Sequence, residues 1–444
     1  MTYTPHTDEQ VKEMLDVIGL EKESDLFSSV PQELQVHGID LPEGLDEFST
    51  FEKFKTLAAK NVTDKTIFMG GGYYDHIVPS AVDALAGRSE FYTSYTPYQA
   101  EASQGTLQAL YEYQSMICEL SGMDVSNASM YDGASALAES ALMAVRISRK
   151  RNKILIDGGI NPTYIKVVES YLSFRDIEFE IIDVKNYKTN IQAVLDKIDD
   201  SVAGYLFQNP NFFGTIDDFT AIIEKLHEHK ALAVISAYPI SLGMLKDPGS
   251  MGADIFCADG QCLGNYMNFG GPSFGMIATK EKYIRDLPGR IIGRTLDKDD
   301  NEIFVLTMQA REQHIRRHRA TSNICSNQNL IAVRSTIFMS LVGQNGLADM
   351  ANLCFSKATY LKNELAKVDG VMVLNKDNSF NEFVISTPID SDELLVQLRD
   401  KGFYAGINLA NIDSKFSNEI LVSVTEKRSK EQMDALVAAI GEVL

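Results

Sequence analysis

Between Lys153 and Thr279, six short apolar runs alternate with helical patterns, and few folds accommodate that alternation. The runs are Lys153–Asp157, Phe179–Asp183, Val202–Phe207, Leu232–Ser236, Asp254–Cys257 and Phe274–Thr279. They are nearly wholly apolar rather than alternating, as expected when both faces of a strand are covered. Helical patterns such as Ile216–His229 fill most of the gaps. Repeated strand–helix–strand order predicts βαβ units and a mainly parallel sheet.

The flanking regions follow other patterns. Residues 1–64 are short helical pieces broken at Gly19, Pro31 and Pro42, with Val11, Met14, Leu15 and Ile18 on one face of Glu9–Ile18. They predict an arm that packs on something else. Residues 65–100 are loop-rich and hold five tyrosines, Tyr73, Tyr74, Tyr92, Tyr95 and Tyr98. Helices are predicted at Ser103–Leu120 and Ala136–Ser148. Beyond 330, a long helical region (Leu330–Val368) leads to Val371–Leu374, Glu382–Thr387, a helix around Asp392–Lys401, a strand at Glu419–Val424 and a last helix, Lys430–Val443. The expected organisation is a helical arm (1–64), a large α/β domain (65–329) and a small α+β domain (330–444). This is the layout of the aspartate-aminotransferase-like, fold type I, pyridoxal-phosphate enzymes, and such a likeness does not by itself give function.

Charge narrows the function. Lys and Arg number 41 against 61 Asp and Glu, a net charge of −20. Nucleic acid and anionic lipid are therefore poor partners, since both require a basic footprint. The five cysteines form no CxxC pair, which leaves no zinc knuckle or thioredoxin-like motif. Their sparse, odd count suits a reducing cytosol. The polar start, Met1–Gln10, carries no secretory pattern, and no apolar stretch reaches the length of a membrane span. A cytoplasmic protein is expected.

A fold of this type holds its cofactor through a phosphate cradle, a ring partner, an acid for the pyridine nitrogen and a Schiff-base lysine. Asp132-Gly133-Ala134-Ser135 opens a helix, so Gly133 and Ser135 are candidates for a vestigial cradle. The same residues read equally as an N-cap, and Asp132 would repel a phosphate. The acid is missing: the strand from Ala231 to Pro239 has no carboxylate. The lysine is missing too. Gln261-Cys262 stands where a His-Lys pair is expected, ahead of the turn Gly270-Gly271-Pro272. Cys262 reads as an inert small residue, because Asp259, the nearest charge, has the wrong sign to activate a thiol. Lys246 and Lys280 flank the expected position but fit neither side of it.

Two surface constellations remain. Arg311–Arg319 carries four arginines and a single acid, and His314 and His318 stand four apart, where one helix face would hold both. With no third ligand, no metal site is expected. Arg311, Arg316 and Arg317 read either as a solvated or ion-paired face or as a site for an acidic partner or substrate carboxylate. Tyr95, Tyr98 and Gln99 belong to a loop suited to a subunit interface or an active-site rim.

Four strings carry a family resemblance. They are Gly72-Tyr73-Tyr74-Asp75-His76; Thr96-Pro97-Tyr98-Gln99-Ala100-Glu101-Ala102-Ser103-Gln104-Gly105; Asp259-Gly260-Gln261-Cys262-Leu263-Gly264; and Arg311-Glu312-Gln313-His314-Ile315-Arg316-Arg317, continuing to Thr321-Ser322-Asn323-Ile324-Cys325. The chain resembles the P-protein of the glycine cleavage system, glycine dehydrogenase (decarboxylating), and within that family the α subunit (subunit 1) of the two-subunit bacterial form. The resemblance implies that pyridoxal phosphate is carried by a lysine of the β subunit (subunit 2), with nothing covalent on this chain. It also implies an α2β2 assembly. Glycine would lose its carboxyl as carbon dioxide, and the aminomethyl group would pass to the lipoyl arm of the H-protein. No catalytic residue is carried over to this chain; Tyr95, Tyr98 and Gln99 would edge the partner's site. Two rival readings are a non-catalytic scaffold subunit and an autonomous fold type I decarboxylase or lyase.

Overall fold

The computed structural model of the chain describes residues 5–36, 38, 40–93, 96–375 and 378–444. It divides into two compact units, residues 1–63 and 64–444.

In the first unit, helix α1 (Asp8–Ile18) starts in a capping box between Thr7 and Gln10 and stops at Gly19, whose φ is 76°. Helix α2 (Glu47–Ala58) is capped by Asp46, which accepts from Ser49 N at 2.8 Å. Phe48, Phe51, Phe54 and Leu57 of α2 are all exposed.

The second unit is built on one sheet. Helix α3 (Gln104–Ser121), strand β1 (Val125–Ser126) and helix α4 (Gly133–Ser148) come first. Then follow β2 (Lys153–Asp157), α5 (Pro162–Ser173), β3 (Glu178–Ile182), β4 (Val202–Gln208), α6 (Thr220–Glu228), β5 (Leu232–Ser236), β6 (Ile255–Asp259) and β7 (Gly275–Thr279). The strand order is β1-β7-β6-β5-β4-β2-β3, with β7 antiparallel to both neighbours and the other pairings parallel. All six apolar runs read from the sequence are strands of this sheet. Side chains alternate between two buried faces. Leu155, Phe207, Ile235 and Phe256 fill one core; Ile154, Leu206, Val234 and Ile255 fill the other. Helix α4 is buried along Gly133–Ala144, and its alanines let it lie close on the sheet.

The remainder holds one element that the strand and helix patterns did not announce. Strands β8 (Ile291–Leu296) and β9 (Glu302–Thr307) form an antiparallel hairpin. Its turn is held by Asp297, whose carboxylate accepts from the backbone of Asp299 and Asn301. Helix α7 (Asn329–Leu365) is interrupted at Gly343, which has φ 60° and non-helical ψ, so the long region expected from the sequence is two helices joined at a kink. A four-stranded antiparallel sheet follows, ordered Met372–Val373, β10 (Glu382–Ser386), β11 (Glu419–Ser423), Ile407–Asn408. It packs against α7, α8 (Ser391–Asp400) and α9 (Lys430–Val443) through Leu361, Phe383, Leu394, Val422 and Leu436.

The two sheets meet where the loop after β4 touches β10. Gly214 there has φ 82°, and a Cβ on it would run into the backbone carbonyl of Glu382. Phe380 N donates to Gly214 O at 2.9 Å, which fixes the approach. Gly214→Ala is therefore expected to lower the unfolding free energy by about 2–4 kcal/mol, from left-handed strain plus overpacking. Gly105→Ala, inside α3 with open space around it, should not lower stability and should raise it by up to about 1 kcal/mol. Urea titration of the two variants tests this.

Candidate functional site

Strand β3 lies on one side of β2 and β4 on the other, so the winding direction reverses there. In open α/β sheets the crevice at the carboxyl ends beside such a reversal is where ligands bind. Parallel register levels these ends, pairing Gln208 with Ser236 and Ser236 with Cys257. Around them lie Tyr74, Gln208, Ser236, Tyr238, Asp259 and Cys262. The cavity they enclose is about 30 Å³, the space of a water molecule or so. Small-molecule pockets run to roughly 300–1,000 Å³.

Internal hydrogen bonds close this crevice. Asp259 Oδ2 accepts from Gly133 N at 3.0 Å, at the start of α4. Its Oδ1 accepts from Gln261 N at 2.8 Å and from the Ser273 hydroxyl at 2.5 Å. Burial pushes the Asp259 carboxyl up to about 6, and these three donors oppose the rise. Asp132 caps the same helix end, accepting from Ser135 N at 2.7 Å. The N–H groups of Gly133 and Ser135 thus already face carboxylates of this chain. A side chain at Gly133 would also meet Tyr164 Oη at 2.6 Å and Asp259 Cβ at 2.7 Å.

Gln261 holds the neighbouring loop. Its Oε1 accepts from Tyr74 N at 2.8 Å, and its Nε2 donates to Tyr74 O at 3.0 Å and Asn265 O at 2.9 Å. Cys262 is buried, and burial together with Asp259 holds its thiol well above the usual range, so it is no nucleophile. The Tyr74 hydroxyl donates to Glu382 Oε2 at 2.8 Å while Gly71 N donates to Oε1 at 2.7 Å. Burial pushes Glu382 up to about 7 against those two donors.

His76, Cys354 and Glu426 form a buried group whose ligand atoms lie within 4.8 Å of one another. These atoms are engaged with each other and with Tyr238. His76 Nδ1 lies 2.7 Å from Glu426 Oε2, His76 Nε2 bonds the Tyr238 hydroxyl, and Ile77 N donates to Glu426 Oε1 at 2.7 Å. The group works as a rivet between the 70–77 loop and the segments that carry Cys354 and Glu426.

The tyrosine-rich segment is divided by the fold. Tyr74 faces the closed crevice, whereas Tyr98 lies at the surface, 52% exposed. Tyr95 lies outside the described residues, and Gln99 is exposed. Tyr98 meets the arginine-rich segment: its hydroxyl accepts from Arg290 Nη2 at 3.2 Å, and the Arg290 guanidinium sits 5.3 Å from its ring centre. The His314 ring stands edge-on at 6.2 Å. Arg311 Nη2 donates to Gly289 O at 2.7 Å, one residue from Arg290. Arg316 and Arg317 are exposed. One expectation fails here. His314 and His318 do not share a helix face, because the helix Gln313–Arg316 ends at Arg317, whose φ is 54°. Arg290 and Asp259 escaped the sequence reading as partners of these groups. Their only local signals were a charge after Pro288-Gly289 and an acid at a strand end.

Sequence comparison decides the family. The sequence profile described as "Glycine cleavage system P-protein" matches residues 1–440. The chain belongs to the glycine cleavage system P-protein family. A protein of Geotalea daltonii named "Probable glycine dehydrogenase (decarboxylating) subunit 1" is 50% identical over 442 residues, 99% of each chain. A crystal structure of glycine decarboxylase (P-protein) of the glycine cleavage system, in inhibitor-bound form, superposes with TM-score 0.93 at 41% identity over all of both chains. A sphingosine-1-phosphate lyase of Burkholderia pseudomallei shares the fold at TM-score 0.67 and 12% identity, over 94% of this chain and 93% of that one. The fold class is thus the pyridoxal-phosphate fold type I expected from the sequence, and membership of the P-protein family makes the chain part of an enzyme of the glycine cleavage system.

The fold's cofactor does not fit this chain's own P-protein crevice. About 30 Å³ is far too little space for it. Asp259 fills the anion position at α4, Ser236 ends β5 without a carboxylate, and Cys262 offers no amine. No helix among the described residues is long and apolar enough to cross a membrane.

The buried carboxyls give a pH signature. An acid whose folded pKa lies above its unfolded value stabilises the fold below the unfolded value and loses that contribution as pH rises through the folded one. For Glu382 the window runs from about 4.5 to about 7. Stability should therefore fall as pH rises from 5 to 7.5. Glu382→Gln, which keeps an acceptor for Gly71 N, should flatten that fall. Urea midpoints at pH 5, 6, 7 and 8 report it.

Proposed function

We propose that this chain is the cofactor-free subunit of a two-subunit glycine decarboxylase. With a second subunit of the same fold, which carries pyridoxal phosphate on its own lysine, it forms an α2β2 enzyme in the cytoplasm. The complex releases the carboxyl of glycine as carbon dioxide and passes the aminomethyl group to the lipoyl arm of the H-protein. The closed crevice carries this reading: a chain with P-protein sequence along its whole length, but without space, lysine or ring acid for the cofactor, depends on another chain for the chemistry. The "subunit 1" in the names of its relatives agrees with a second chain.

Within that assembly the chain supplies positions rather than reacting groups. Tyr98 and Gln99 edge the partner's site, with Tyr98 fixed by Arg290 on one side and His314 on the other. Arg311, Arg316 and Arg317 lie on the same loop system and face the partner or the H-protein. The arm, residues 1–64, packs on the partner. Its support is α2, whose Phe48, Phe51 and Phe54 form an exposed aromatic stripe that water solvates poorly. Residues 65–329 and 330–444 act as the large and small domains.

Two measurements test the reading. Alone, the chain mixed with pyridoxal phosphate and reduced with borohydride should yield no stoichiometric phosphopyridoxyl-lysine by mass analysis; a single fully labelled lysine would overturn it in favour of a self-sufficient decarboxylase. In the reconstituted complex, Tyr98→Phe should leave assembly intact and lower glycine decarboxylation about tenfold, the worth of one hydrogen bond to a charged group. Unchanged turnover would leave the chain a scaffold.

A further inference from the structure

Beyond the hairpin of β8 and β9, the segment Met308–Thr321 borders an open pocket of about 350 Å³ lined by Arg285, Arg311, Arg316, Arg319 and Thr321. Four arginines line it in a chain of net charge −20. Arginine ion pairs among the described residues are made by Arg88, Arg294, Arg334, Arg399 and Arg428. None of the four pocket arginines is among them.

Arg311 anchors the arrangement. Its Nη2 donates to Gly289 O at 2.7 Å, while its Nε is shut off from solvent with no hydrogen-bond partner. Burial lowers it to about 10, which leaves it charged at neutral pH. Thr321 N donates to Arg311 O at 2.9 Å and closes the loop on itself. Arg316 spends only its Nε, on Ala310 O at 2.9 Å. Met308 and Arg317 both sit at positive φ, 53° and 54°, so the backbone is held in a strained form at both bends of the segment.

The carboxylates that act on Arg311 are Glu312 and Asp286. Both are shared: Asp286 also acts on the buried Arg146, and Glu312 Oε2 lies 3.6 Å from His314 Nδ1. Four arginines line the pocket while the two acids that act on Arg311 are shared with other groups, so the lining carries an excess of positive charge that favours a dianion over a single carboxylate. Planar guanidinium forks present paired N–H groups that match tetrahedral oxyanions. We propose that this pocket binds a phosphate-class dianion, held by Arg311, Arg316 and Arg319, with Arg285 at the open side and the Thr321 hydroxyl as an added donor. The inference gives Arg311 and Arg316 a small ligand in place of the partner or H-protein contact proposed above, and it assigns the site to the chain alone.

Inorganic phosphate and a phosphate monoester share this chemistry. Calorimetric titration of the full-length chain at pH 7.5 in low-salt chloride buffer, once with inorganic phosphate and once with glycerol phosphate, separates the two sources. One-to-one saturation by either supports the site, and the tighter of the two names the source. Arg319→Gln and Arg316→Gln, both at exposed positions, should each weaken binding about tenfold or more without changing the melting temperature of the ligand-free chain. Arg319→Lys, which keeps the charge and loses the fork, should fall between. No saturable binding of either ligand overturns the proposal. So does binding that is equal in all the variants, or binding that appears only once the partner subunit is added; in that last case the pocket is a subunit contact.

Discussion

The hydrogen bond between Asp259 and the first N–H of α4 decides what the large domain is able to do. A helix start on the carboxyl side of a parallel sheet is an anion site by construction, since its free N–H groups and its dipole point at the same spot. Here the anion is a residue of the chain. The gain from a charge at a helix start is at most about 2 kcal/mol. Burial nevertheless lifts Asp259 from 3.8 to about 6 even with Gly133, Gln261 and Ser273 all donating to it, so these bonds do not repay the desolvation of its charge. Stability alone therefore does not explain a carboxylate in this place. What it achieves is occupancy: Asp259 takes the N–H of Gly133 and Asp132 that of Ser135.

The closed crevice in turn lets the 70–77 loop be pinned down. Three acid contacts hold it to residues 382–428: Glu382 takes Gly71 N and the Tyr74 hydroxyl, Glu426 takes His76 and Ile77 N, and Asp75 meets Lys427 and Arg428 at 2.6 and 2.7 Å. A crevice that admits ligand has to keep some of its polar groups free for the ligand. In this one the polar groups that line the carboxyl ends satisfy each other, and Gln261 ties the same loop from the sheet side.

The sheet was legible because its signal is local. Runs such as Leu232–Ser236 and Lys153–Asp157 are buried on both faces, so their interiors (232–235 and 154–156) are apolar throughout and they end where a polar residue appears. The hairpin of β8 and β9 was harder to see, since its strands mix exposed and buried positions and its one clear mark is the turn at Asp297. The missing lysine and ring acid were also legible, because absence at a fixed register needs no tertiary information. What replaces them was not. Asp259 reaches Gly133 across 126 positions, and Arg290 reaches Tyr98 across 192. Such pairings exist only once the sheet has brought the segments together. The spacing of His314 and His318 misled for a related reason: a four-residue interval means a shared face only if the backbone stays helical, and Arg317 turns it.

Frame and chemistry are separable in this fold because they use different residues. The frame rests on apolar strand interiors and on small-residue helices such as α4, none of which touches a ligand. The chemistry rests on a few polar positions at strand ends. Substitution at those ends silences the crevice and leaves the frame intact, and an intact frame still places surface loops with precision. Arg290 shows that this placement is retained. The residue is only 3% exposed, its Nε has no partner, and its Nη2 donates to the exposed Tyr98. Burying a cation with so little compensation costs several kcal/mol. A chain kept only for its bulk has no use for that expense; one that must hold a tyrosine at a set point on its surface does.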